Sequence, residues 1–194
     1  MGRLALAMLA DVYNAFHSSS PERLAPAASK ETTINGLEQA VVHYLIKLSR
    51  GSLTQQQSEQ LNSLVSITND FERIGDHAEN IGELASYRIE HRLPFSPEAI
   101  AELDDMYDRV SRMVEEVVNI LDSGDLSHAA DVLANEEDID LLEQDLRRQH
   151  IQRLNSGICF PASGVVYLDL ISNFERIADH AHNTAESLSG AVRS

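Results

Sequence analysis

"NDFERIGDHAEN", residues 69–80, sets Glu72 and Asp76 one helical turn apart and follows them with His77. "SNFERIADHAHN", residues 172–183, repeats the phrase with Glu175, Asp179 and His180 in the matching places. Around the first copy, Leu61, Leu64, Ile67, Phe71, Ile74, Ala78, Ile81 and Ala85 step by threes and fours. That is one apolar stripe, and it predicts a helix from Thr54 to about Arg88. With each residue turning the helix by about 100°, the stripe points away from Glu72, Asp76, Glu79 and Glu83. These carboxylates are expected as an acidic ridge outside the bundle core.

Upstream, Ile34, Leu37, Val41, Leu45 and Leu48 form a second stripe. It ends at Gly51, a natural residue for closing a helix, and Thr54 is placed to cap the next one. Residues 3–17 predict a short helix, and 17–30 a loop punctuated by Pro21 and Pro26. Downstream, Ser96 is a cap with Pro97 in the first helical position, opening a helix to Leu121. After "DSGD" come a long helix from about Leu126 to Leu154, the loop "NSGICFPAS", and a last helix from Ser163 to about Leu188.

The order is short helix, helix, long helix, and then the same again. The halves also match in their letters. "MLADVYNAF" (8–16) aligns with "MVEEVVNIL" (113–121), and "ETTINGLEQ" (31–39) with "EEDIDLLEQ" (136–144). Three matched segments in one order mark an internal duplication. The expected fold is all-α, two pseudo-symmetric three-helix bundles, with repeats at 1–92 and 93–194.

Composition narrows the function. Fifteen Lys and Arg against 31 Asp and Glu leave a net charge of −16. Nucleic-acid binding requires concentrated positive charge, and no basic stripe exists here. Such a surface suits cations or basic partners, or serves solubility alone. Cys159 is the only cysteine, which excludes an intrachain disulfide and a thiolate metal site. No run reaches the roughly 18 to 20 apolar residues of a membrane span, and no signal peptide is visible. The chain is therefore expected to be soluble and intracellular.

Glu136 and Asp140 repeat the i, i+4 acidic spacing on the second helix of the second half, with Glu143 one turn beyond. Their first-half counterparts are Glu31, Asn35 and Glu38. Antiparallel packing of the second and third helices would lay the ridges side by side. Massed like charges are unfavourable unless cations neutralise them, and oxygen donors suit Mg²⁺, Mn²⁺ and iron. A solvated acidic face softened by Arg73 and Arg176 explains any single pair. Preservation of the pair in three of four equivalent places favours a metal, and both readings stand on the residues alone. His77 and His180 sit about 100° from the aspartates, at the edge of any cluster. They are expected as partly buried histidines bonded to a neighbour. His182 has no counterpart, since position 79 is Glu, and is not assigned as a ligand.

At these residues the chain resembles the PhoU family, helical regulators of phosphate uptake; the doubled "FERIxDHAxN" carries the resemblance, which extends over almost the whole sequence. It implies two three-helix bundles, often dimeric, with Glu/Asp-x-x-x-Asp motifs that bind multinuclear metal clusters on the bundle surface. Carried over, the motifs fall on Glu72 and Asp76, Glu175 and Asp179, Glu136 and Asp140, and Glu31 and Asn35. Asn35 lacks the expected charge, so the first half departs from the family's pattern at that position. The implied ions are divalent or trivalent: iron first, with Mn, Mg, Zn or Ni as alternatives.

The implied role is a non-catalytic, metal-binding regulatory domain of phosphate homeostasis. It would be cytoplasmic, peripheral to or tethered at the inner face of the cell membrane, and would dock on a phosphate transporter or phosphate-sensing protein. The stretch from Tyr44 to Ala85 also looks like the PhoU-like domain on the C-terminal side of sodium/phosphate cotransporters. A metal-free interaction module forming such a soluble tail is the alternative. An inward-facing di-iron enzyme needs repeated Glu-x-x-His pairs, and none occurs. Cys159 and the serines lack any triad context.

Overall fold

The computed structural model describes residues 1–193, with side chains for 1–190; Ser194, the last residue of the second predicted repeat, lies outside the described residues. Six α-helices make up the fold: α1 (Gly2–Ser18), α2 (Leu24–Ser49), α3 (Gln55–His91), α4 (Pro97–Ser123), α5 (Ala129–Asn155) and α6 (Pro161–Arg193). Single 3₁₀ turns at Pro21–Arg23 and Leu126–His128 lead into α2 and α5.

The helix starts follow side-chain capping. Thr54 Oγ1 accepts from Gln57 N at 3.2 Å while Gln57 Oε1 accepts from Thr54 N at 3.0 Å. This reciprocal pair satisfies two donors that no helical carbonyl can reach. Ser96 Oγ accepts from Ala99 N at 3.1 Å, with Pro97 behind it. Gly124, at φ 71°, closes α4 in a left-handed conformation that a side chain would strain.

The expected loop over 17–30 is shorter than its prolines suggest. Helix α1 runs to Ser18 and α2 begins at Leu24, so Pro26 is the third residue of a helix. First-turn N–H groups have no intrahelical acceptor, so a proline there forfeits no hydrogen bond.

Helices α1, α2 and α3 pack mutually as one bundle, and α4, α5 and α6 as a second. The main contacts between bundles join α3 to α6 and α1 to α4, each helix against its own duplicate. A contact between equivalent surfaces is what a two-fold axis produces, so the duplication behaves as an internal pseudo-dimer. The core runs continuously through the junction, with Met8, Leu9, Phe16, Ile74, Leu103, Met106, Leu170 and Phe174 all at 0–1% exposure. Each fully buried side chain of this size contributes about 1.5–3 kcal/mol.

Where the two phrases differ, packing explains one letter. A Cβ on Gly75 would stand 3.3 Å from Ile34 Cδ1, so α2 approaches α3 closely there. Arg88 lies over the rings of Phe16 (4.2 Å) and Phe95 (4.7 Å) and donates to Phe16 O, tying the end of α3 to α1 and the linker. No described helix is long and apolar enough to cross a membrane.

Candidate metal site

Helices α5 and α6 form an antiparallel hairpin whose register is visible in its contacts. Glu136 lies near His182 at one end, and His150 stacks on Tyr167 at the other. Between them, the ridges of the two helices meet. Among the described residues, one group of three acidic side chains brings an oxygen of each within 4.8 Å of the others: Glu136, Asp140 and Asp179. All three are partly buried, in the groove between the helices rather than on an open face.

Glu175 stands one turn from Asp179 and feels the same charges. Burial first, then the carboxylates of Asp179 and Asp140, raise its pKa to about 7. Burial and Asp140 also raise the pKa of Asp179. Glu136 is raised mainly by burial, with His182 opposing. These shifts share one cause: carboxylates crowded where water cannot fully solvate them hold protons longer. Glu143 does not join the group. It is bonded to Arg147, whose Nε donates to it at 2.8 Å.

The first half has the same helices but different partners. Asn35 donates to Glu31, so one position of the fourth motif serves as a donor instead of an anion. Arg73 reaches both Asp76 (3.6 Å) and Glu72 (3.8 Å). Glu72 is raised by burial and by Asp76, with Arg73 opposing, and Glu79 by burial, Glu31 and Glu83. Among the described residues no three first-half carboxylates converge as Glu136, Asp140 and Asp179 do. Nor does any ion pair within 4 Å join Arg176 to Glu175 or Asp179. The eight residues singled out in the sequence thus divide. The second-half four feel Arg176 only from beyond ion-pair distance, its charge lowering the pKa of Glu175 and Asp179 against the larger effect of burial, and the first-half four are already partnered.

The histidines beside the motifs turn to the junction. His77 Nδ1 donates to Asn173 Oδ1 and His180 Nδ1 to Asp70 Oδ1, each at 3.0 Å. Asp70 and Asn173 are duplicate positions, so these are the same contact made twice. His182 was missed by the comparison of repeats because its counterpart is Glu79. Its Nδ1 lies 3.8 Å from Glu136 Oε2, is buried, and has no hydrogen-bond partner. Only the antiparallel register places it there.

Partly buried carboxylate oxygens at this spacing, with no arginine within ion-pair distance of Glu136, Asp140 or Asp179, fit a hard or borderline cation. The comparisons with known proteins agree with the architecture. The PhoU domain family model matches residues 1–85 and again 103–188. The phosphate-specific transport system accessory protein PhoU homolog 1 of Thermotoga maritima is 28% identical over 133 residues, 69% of this chain and 56% of that protein. The YjbB protein of Salmonella typhimurium, whose name assigns it to inorganic phosphate export, is 23% identical over 146 residues, 74% of this chain and 27% of that protein. The chain thus matches about half of the first relative and about a quarter of the second. The crystal structure of PhoU from Pseudomonas aeruginosa superposes with TM-score 0.92 at 22% identity, covering 100% of this chain and 92% of that one. That of the phosphate transport system regulatory protein PhoU from Streptococcus pneumoniae gives 0.86 at 23%, covering 98% and 89%. With both repeats matched in order and the two-bundle fold shared throughout, the chain belongs to the PhoU family.

Proposed function

We propose that this chain is a non-catalytic regulator of phosphate transport whose second repeat holds a divalent or trivalent cation between α5 and α6. The observation that carries this is the convergence of Glu136, Asp140 and Asp179 within 4.8 Å, beside a Glu175 whose pKa is raised to about 7. Glu136, Asp140, Glu175 and Asp179 would hold the ion, with iron, Mn, Mg, Zn and Ni as the candidates. A bound cation would neutralise the ridge and offer open coordination positions to phosphate or to a partner's carboxylates. The chain's own part is to hold the oxygens together on rigid helices, with Arg176 beyond ion-pair distance of them.

The regulatory reading draws on the relatives, which are named as accessory and regulatory proteins of phosphate transport. The partner is a phosphate transporter or phosphate-sensing protein, met at the inner face of the cell membrane. A second reading has one observation in its favour: the match to a quarter of the Salmonella export protein fits a helical module carried by a longer transporter. In that reading the ridges are solvated and empty.

The test is elemental analysis of protein purified without chelator or nickel resin, beside a variant with Glu136, Asp140, Glu175 and Asp179 all changed to Ala. One or more equivalents of a single metal, lost in the variant, is the expected result. Wild type that is metal-free and stays empty on reloading overturns the metal reading in favour of the solvated module.

A further inference from the structure

At the far end of the second bundle from the acidic groove, a cavity of about 320 Å³ opens between the start of α4, the end of α5 and the loop before α6. Its mouth is apolar and unusually exposed: Ile158 is 75% and Phe160 54% accessible. Its buried lining includes polar side chains. His150 is 3% exposed and Ser163 6%, yet neither His150 ring nitrogen nor Ser163 Oγ has a hydrogen-bond partner. The Nε of Arg153, which also lines the space, is likewise unpartnered.

An unpaired buried polar group is costly, and most buried groups avoid the cost by pairing. Here three side chains that line one cavity each keep an unpartnered polar atom, while the other polar atoms around them are engaged. Arg153 places both terminal nitrogens on Glu102 at 2.7 Å, and Tyr167 donates to the same carboxylate at 2.6 Å. The duplication supplies a control within the molecule. The position equivalent to His150 in the first repeat is Leu45, also buried at 5%, so the second helix of a repeat accepts an apolar side chain there. Gly164 leaves room for the imidazole, since a Cβ there would stand 2.7 Å from His150 Nε2.

We propose that this cavity is a binding site for an uncharged ring that carries hydrogen-bonding groups. Its volume is that of a single small ligand. Apolar walls from Phe95, Ile158 and Phe160 take the body of the ring. The hydrogen-bonding groups meet Ser163, His150 and the Arg153 Nε–H. Neither charge is favoured: an anion finds the guanidinium already held by Glu102, with Glu98 3.7 Å away at the rim, and a cation meets that same buried guanidinium while the Glu98 carboxylate stands largely in solvent. Burial and the adjacent guanidinium push the His150 pKa down, which keeps the imidazole neutral as both donor and acceptor. The ring can be a free molecule or a side chain presented by a partner, and the same chemistry recognises both.

The test is an NMR titration of the whole chain with benzamide and p-cresol as free rings and N-acetyltyrosinamide as a presented side chain. Benzoate and benzylamine serve as charged controls. Saturable shifts at His150, Ser163 and Phe160 with a neutral probe, at least tenfold weaker with both charged controls, are expected. Preference for the capped amino acid would assign the site to a partner. His150→Leu, which copies the first repeat, should weaken binding at least tenfold while the melting temperature holds or rises. No saturable shift with any neutral probe, equal binding of the charged controls, or unaltered binding in His150→Leu overturns the proposal. A loss of melting temperature in that variant would mark His150 as structural and overturn it as well.

Discussion

His77 and His180 stack ring to ring across the junction of the two repeats, with centroids 5.6 Å apart and planes 25° from parallel. Each reaches past the other to a residue of the opposite half, His77 to Asn173 and His180 to Asp70. The junction therefore has near two-fold geometry but unequal charge. In His77, burial lowers the pKa, with His180 and Arg176 adding to the effect and Asn173 and Asp76 opposing it. A lowered base is protonated first in the unfolded chain, so stability is lost as pH falls below the ordinary histidine value. In the metal-free protein His77→Gln should flatten the fall in melting temperature between about pH 6.5 and the lowered value. A wild-type slope retained in the variant would locate the acid sensitivity elsewhere.

Glu175 acts with the opposite sign. Its folded pKa of about 7 lies above the unfolded value of 4.5, so the folded state keeps a proton that the unfolded state has released. Stability from this group is present below pH 4.5 and is lost as pH rises to 7. Glu175→Gln should therefore stabilise the chelated protein by about 1 kcal/mol at pH 8, a figure kept small because solvent screens a partly exposed site. Near pH 4 the gain should vanish. Urea titrations at the two pH values measure the difference, and an equal effect at both would show that charge crowding is not the cause.

A third prediction concerns the Glu102–Arg153 pair, whose side chains are 13% and 12% exposed. Removing one member of a buried pair strands the other's charge. Glu102→Ala should cost about 3 kcal/mol in urea denaturation. Replacing both Glu102 and Arg153 with Leu should recover most of that loss, because the stranded charge is then gone as well. A double variant as unstable as the single would indicate that Tyr167 and the packing, rather than the charge, set the cost.

The fold was legible because its signals are local and repeated. The stripe through Phe71, Ile74, Ala78 and Ile81, the caps at Thr54 and Ser96, and the doubled phrase each act within a few turns of helix. The loop at 17–30 misled because a proline in the first turn looks, in sequence, like a proline that ends a helix. The approach of Glu136 and Asp140 to Asp179 was legible, since i, i+4 spacing fixes a face. The repeat could not show that Arg73 occupies the first-half ridge while Arg176 leaves the second open. Both arginines sit at equivalent places, and only side-chain conformation separates them. His182 and the His150 cavity were hidden for another reason. They depend on the register of two antiparallel helices, which sequence spacing does not encode.

That asymmetry between halves yields the last prediction. Asn35 donates to Glu31 where the repeat would have a second carboxylate. Asn35→Asp exchanges a donor for an anion one turn from Glu31, so the metal-free variant should lose roughly 0.2–0.5 kcal/mol, as like charges at this spacing do. The same change completes the fourth acidic pair, opposite Glu72 and Asp76. If cation binding is what the pairs are for, the variant should take up additional metal over wild type, and metal should restore more stability than the substitution removed. Arg73 competes for those oxygens, so Asn35→Asp combined with Arg73→Ala should bind more tightly than Asn35→Asp alone. Calorimetric titration and elemental analysis of the three proteins decide it. Unchanged stoichiometry in both variants would mean that the first repeat has lost the geometry of a site as well as its charge, leaving the second repeat as the place where a cation can act.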